Sequence, residues 1–152
     1  MAQEHRASAL AYRLIGRLGP SFTPRGPTRG LIVLGTPTAD RHGLAPALLA
    51  DPLRGRGFAV ADLGADTPAA SFAEIVTNEN RACAVGIAVS VAVGDAVVSE
   101  AIDAIHTARA VPVLLGGRAI TGAAHATRLG ADAYSDTAAN ALTWFEAMKT
   151  TS

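Results

Sequence analysis

Five short apolar runs, each followed by a stretch of helical periodicity, constrain this chain more than any other feature. The runs are Gly30 to Gly35, Phe58 to Leu63, Ala82 to Ser90, Pro112 to Leu115 and Ala131 to Tyr134. Helical patterns follow them near Leu44 to Arg54, Ser71 to Asn80, Asp95 to Ala108, Gly122 to Leu129 and Thr137 to Met148. A strand that is apolar on both faces must be covered on both, and a helix between strands supplies the crossover that parallel pairing requires. The predicted fold class is therefore α/β, a five-stranded parallel sheet with helices on both faces.

Right-handed crossovers and five strands suit the flavodoxin-like order, a Rossmann-like arrangement, better than the six-stranded dinucleotide fold. Pro46 is compatible with the first turn of the first covering helix, whereas Pro52 is expected to kink or end it. Ahead of the sheet, Leu10, Leu14 and Leu18 share a face with Ala7, Ala11 and Ile15, leaving Arg6, Arg13 and Arg17 on the wetter side of a helix from Gln3 to Leu18. Gly19-Pro20 stops that helix, and the stretch from Ser21 to Arg29, with Pro24, Gly26 and Pro27, reads as a linker. The expected organisation is an appended helix over 1–20, a linker over 21–29 and one domain over 30–152.

Composition excludes several functions. At 152 residues the chain can bury its own core. Basic and acidic residues number 13 each, so the basic footprint of a nucleic-acid binder is missing and no direct DNA binding is expected. Tyr12, Trp144 and Phe145 suit helix packing rather than base stacking. Cys83 lies inside an apolar run, as a buried strand residue does, which accords with a reduced, cytoplasmic setting. The polar opening Met1 to Arg6 is unlike a signal peptide, and no apolar run reaches the roughly 18 residues of a membrane span, so no membrane association is expected.

The candidate site follows the first strand, in Thr36-Pro37-Thr38-Ala39-Asp40-Arg41-His42-Gly43. Open α/β sheets bind ligands outside the carboxyl ends of their strands. In this Asp-x-His step, Asp40 can accept a hydrogen bond from one ring nitrogen of His42 and leave the other to a metal. The simpler reading of the same residues is an Asp40 that caps the next helix beside a solvated His42. The loop is neither Gly-x-Gly-x-x-Gly nor a P-loop, which disfavours a nucleotide. Four loops, Gly35 to Gly43, Gly64 to Pro68, Ser90 to Asp95 and Gly116 to Gly122, are expected to form one rim. There Gly116-Gly117 either lets a large flat ligand approach the backbone or makes a plain tight turn. Ser90 can offer one hydrogen bond to the same cleft or serve as a turn residue. His106 and His125 are read as ordinary helix residues away from that rim.

Taken together, Asp40-Arg41-His42, Ser90-Val91-Ala92 and Gly116-Gly117 resemble the signature of the cobalamin-binding domain shared by methionine synthase, the corrinoid mutases and light-responsive regulators. The resemblance covers roughly Gly30 to Met148. It implies His42 as lower axial cobalt ligand with Asp40 as its partner, Ser90 seating the dimethylbenzimidazole tail, and Gly116 and Gly117 beside the nucleotide. Arg41, Gly43, Val91, Ala92 and Tyr134 complete the implied cofactor-binding set. The chain departs from the family pattern at Ala45, where a Gly is usual, and at Ala92, where a Leu is usual.

Val60 to Pro68 and Gly130 to Tyr134 look like the MerR-type light-responsive branch. Glu4-His5-Arg6-Ala7-Ser8 resembles the helix of that branch whose His reaches the upper face of cobalt, although the preceding helices and a helix-turn-helix domain have no counterpart here. The resemblance thus implies a stand-alone cobalamin-binding sensor of light or redox state, a photoreceptor rather than an enzyme, with His5 as a second, upper ligand. Adenosyl-, methyl- or hydroxocobalamin would be its cofactor, and a protein partner or a second copy would receive the signal. The alternative is a corrinoid carrier for a methyltransferase or mutase system.

Overall fold

Side-chain alternation along the strands divides the core into two layers. The computed structural model describes residues 28–148, so the expected appended helix, most of the expected linker and His5 lie outside the described residues. In chain order the elements are β1 (Leu31–Gly35), α1 (Leu44–Gly55), β2 (Ala59–Asp62), α2 (Ala69–Asn78), β3 (Ala82–Ala88), α3 (Asp95–Ala108), β4 (Val113–Gly116), α4 (Ala123–Arg128), β5 (Ala133–Ser135) and α5 (Ala138–Glu146). Val33, Val85, Ile87, Val113 and Leu115 pack against Phe72 and Val76 of α2, Ile102 and Ile105 of α3, and Leu129 beyond α4. On the other face Ile32, Leu34, Ala84 and Leu114 pack against Leu53 of α1 and Phe145 of α5. Because strand residues point alternately to the two faces, a continuous apolar run fills both layers at once.

The sheet is parallel throughout, in the order β2-β1-β3-β4-β5. This is the flavodoxin-like order expected from the sequence. Its topological switch point lies between β1 and β3, whose following loops depart in opposite directions along the sheet and open a crevice at the carboxyl edge. Among the described residues, no helix is long and apolar enough to cross a membrane.

Three features differ from or refine the expectation. Pro52 does not end α1, which continues to Gly55. Only three helical residues follow the proline, so the lost N–H removes a single intrahelical bond near the end. Arg29 lies over the ring of fully buried Phe58, 4.4 Å from its centroid, and donates to the Glu146 carbonyl at 2.7 Å, tying the entry to β1 to the end of α5. Cys83 is half-buried, with its Sγ donating to the Leu31 carbonyl at 3.4 Å.

Burial pushes the Cys83 thiol above its ordinary range, because desolvation disfavours the thiolate. The thiolate is the reactive form, so Cys83 in the folded protein should react with iodoacetamide more slowly than free cysteine at neutral pH. Its rate should climb only as the pH passes above the normal thiol range. An alkylation time course at several pH values checks this, with the unfolded protein as the fast reference.

Candidate functional site

The eight residues between β1 and α1 are fixed by buried polar groups. Thr36, directly after the strand, is fully buried and donates through Oγ1 to the Asp40 carbonyl at 2.6 Å. Asp40 is also fully buried. Its Oδ1 accepts from the His42 backbone N–H at 3.0 Å and lies 3.0 Å from His42 Nδ1, while Oδ2 accepts from the Ser90 N–H at 2.6 Å. A carboxylate only accepts, so Nδ1 carries a proton, and in the neutral ring Nε2 is left with its lone pair. The His42 side chain is 51 % exposed. One nitrogen is thus bound to a buried acid, and the other is available to a metal.

This geometry decides between the two readings of the motif. The N-cap of α1 is Gly43, with no side-chain cap, so Asp40 orients His42 and does not cap the helix. The bond from Ser90 to Asp40 also spans the switch point between β1 and β3. Ser90 therefore contributes its backbone, and its hydroxyl makes no hydrogen bond among the described residues.

Beside this loop a mostly apolar cleft of about 210 Å³ opens between the sheet and the flanking α1 and α5. Leu34, Gly86 and Leu114 line it from the strands, Leu49 from α1, and Ala141 and Phe145 from α5. A Cβ on Gly86 would lie 2.8 Å from both Leu34 Cδ2 and Phe145 Cζ, so a larger residue here would push those two side chains aside. Gly116 and Gly117 form part of the cleft wall. Gly117 has φ of +106°, and a Cβ there would meet the Val89 carbonyl oxygen at 2.2 Å.

The donor set suits one kind of ligand. Among the described residues no three His, Cys, Asp or Glu side chains converge as a cage for a bare ion. A lone, oriented imidazole beside an apolar slot suits a metal whose other positions are already filled by a large organic ligand with a flat apolar part. The comparison with known families agrees, since residues 30–143 match the profile of the B12 binding domain.

The chain belongs to the B12-binding domain family. It is 32 % identical over 117 residues to dimethylamine corrinoid protein 3 of Methanosarcina mazei, covering 75 % of this chain and 69 % of that protein. A cobalamin-binding protein from Desulfitobacterium hafniense superposes with a TM-score of 0.70 at 27 % identity, over 78 % of this chain and 58 % of that one. The same fold occurs in the methanol:cobalamin methyltransferase complex of Methanosarcina barkeri, with a TM-score of 0.72 at 22 % identity, over 81 % and 47 %. The chain thus spans less than two thirds of either structure's chain.

For a B12-binding domain, the residues present fit cobalamin, its cofactor. Hydrogen bonds join His42, Asp40 and Ser90 at the switch point, and Gly116 and Gly117 line the cleft. Arg41 is exposed beside His42, Val91 and Ala92 are exposed on the loop after β3, and Gly43 is buried at the helix start. Tyr134 falls outside the cleft. It packs on the opposite layer with the α2 and α3 core, because alternation in β5 turns it away, while Ser135, Asp136 and Thr137 line the cleft instead.

His125 also departs from expectation. It is buried, accepts the Thr121 N–H at Nδ1 at 3.1 Å, and lies with Nε2 2.9 Å from Asp95 Oδ1. It therefore clasps the loops after β3 and β4 on the rim side rather than lying apart from the rim. His106 binds Asp132 Oδ2 at 2.8 Å, the oxygen that also accepts the Val113 N–H at the start of β4. Sequence reasoning passed over Thr36 and Asp66 as site residues. The available signal was a polar residue ending an apolar strand, and an Asp-Thr-Pro turn at the next strand's end.

Proposed function

We propose that this domain is a corrinoid carrier, holding cobalamin with His42 as the lower axial ligand and leaving the upper face to a partner methyltransferase. The observation that carries the ligand assignment is the buried Asp40 carboxylate, which orients His42 through Nδ1 and is itself anchored to Ser90. Bound cobalamin supplies a cobalt able to carry one alkyl group. His42, oriented by Asp40, would hold the cobalt, and the apolar cleft with Ser90, Gly116 and Gly117 would take the cofactor's benzimidazole tail out of water. Arg41, Gly43, Val91 and Ala92 would contact the rest of the cofactor.

The kinship with a dimethylamine corrinoid protein supports the carrier reading over the light-responsive one suggested by the sequence. His5, the upper ligand of that second reading, lies outside the described residues. The two readings separate on illumination of the complex with adenosylcobalamin. A carrier should elute identically from a size-exclusion column before and after illumination, and wild type and His5→Ala should give the same photoproduct spectrum. A light-driven change of assembly, with a bis-histidine photoproduct that His5→Ala abolishes, would establish the sensor instead.

A further inference from the structure

The loop that bears His42 does not hold its shape alone. Ala39 adopts a left-handed backbone, with φ of 74°, a conformation that a residue with a Cβ occupies only when its surroundings impose it. The surroundings here belong to the loop after β2. Asp66 Oδ1 accepts the Ala39 N–H at 2.7 Å, one residue before the buried carboxylate that orients His42. The Asp66 N–H donates to the Asp40 carbonyl at 2.8 Å and to Thr36 Oγ1 at 3.0 Å, and Thr36 Oγ1 in turn donates to that same carbonyl. Thr67 N–H completes the joint by donating to the Thr36 carbonyl at 3.0 Å. Asp66 itself is left-handed, with φ of 53°, a conformation that aspartate tolerates better than most residues.

We propose that Asp66 is a positioning residue for the cobalt ligand. Its carboxylate holds the Ala39 peptide in the left-handed turn that carries Asp40 into the switch-point crevice, and so determines where the Asp40 carboxylate, and with it the His42 ring, stands. Without that acceptor Ala39 relaxes toward ordinary backbone angles, the Asp40 to Ser90 anchor is strained, and His42 spends part of its time off the ligating geometry. The proposal rests on His42 being the lower ligand.

Asp66→Gly isolates the side chain, because glycine keeps the left-handed backbone without strain while removing the acceptor. Asp66→Asn is the rescue variant, since its amide oxygen still accepts from Ala39. Asp66 and Ala39 are both exposed, so both variants should fold and melt close to wild type. Each is titrated with methylcobalamin, and the absorbance of the bound cofactor is followed across the histidine titration range. Asp66→Gly should bind about tenfold more weakly and show a mixture of histidine-ligated and unligated cobalt where wild type shows only the ligated form, while Asp66→Asn should match wild type. Identical affinity and spectra for Asp66→Gly and wild type would overturn the proposal, and so would an Asp66→Asn as defective as the glycine variant. A wild type that never shows histidine-ligated cobalt would instead overturn the assignment of His42 itself.

Discussion

Replacing His42 by alanine should leave the domain folded and remove its hold on cobalt. The ring is half exposed and belongs to neither core layer, so its loss uncovers no apolar surface and the melting temperature should move little. Binding is a different matter, because no other His, Cys, Asp or Glu among the described residues forms a metal-holding group that could take over. Removing a partner that merely orients a metal-bound histidine costs about 10 to 100-fold in affinity, so removing the proposed ligand should cost more than about 100-fold. Isothermal titration with hydroxocobalamin measures this directly. Asp40→Asn should fall in the milder range, since His42 remains while one amide oxygen must replace a carboxylate that serves His42 through one oxygen and Ser90 through the other.

Gly117→Ala should produce the other large effect, and it should damage fold and binding together. A Cβ at this position would stand 2.2 Å from the Val89 carbonyl oxygen, a backbone atom that cannot swing aside. That carbonyl accepts the Ala119 N–H, and Val89 N–H donates to the Gly116 carbonyl, so moving it loosens the joint between the loops after β3 and β4. The left-handed strain on alanine and the forced repacking add to about 2 to 5 kcal/mol of lost stability. Thermal unfolding should show a fall of many degrees. Cobalamin affinity should drop as well, since the same displacement shifts Ser90 away from Asp40.

The fold was legible because its determinants are local: β1, β3 and β4 are apolar without interruption, and α2 and α3 show clean helical periodicity between them. The His42 site was half legible. Asp40 and His42 lie two residues apart, so their partnership can be read along the chain. The anchor from Ser90 comes from a residue 50 positions away and through the backbone, which no side-chain pattern announces. The same holds for Asp66, whose importance arises only when β2 pairs beside β1 and brings two loops together. Tyr134 was misplaced because a three-residue strand gives too short an alternation to show which face a given side chain takes. His125 reads as an ordinary helix residue along the chain because its link to the rim runs through Thr121 in the loop after β4 and Asp95 at the start of α3, 30 positions away.

The most direct test of the account is the electron spin resonance spectrum of bound, one-electron-reduced cobalamin in protein grown with 15N-histidine. If His42 ligates cobalt from below, the lower nitrogen belongs to the protein. The superhyperfine pattern should then change from the triplet of 14N to the doublet of 15N, and the doublet should vanish in His42→Ala. A triplet that persists in the labelled protein would show that the cofactor's own benzimidazole still holds the metal, and would contradict His42 as the lower ligand.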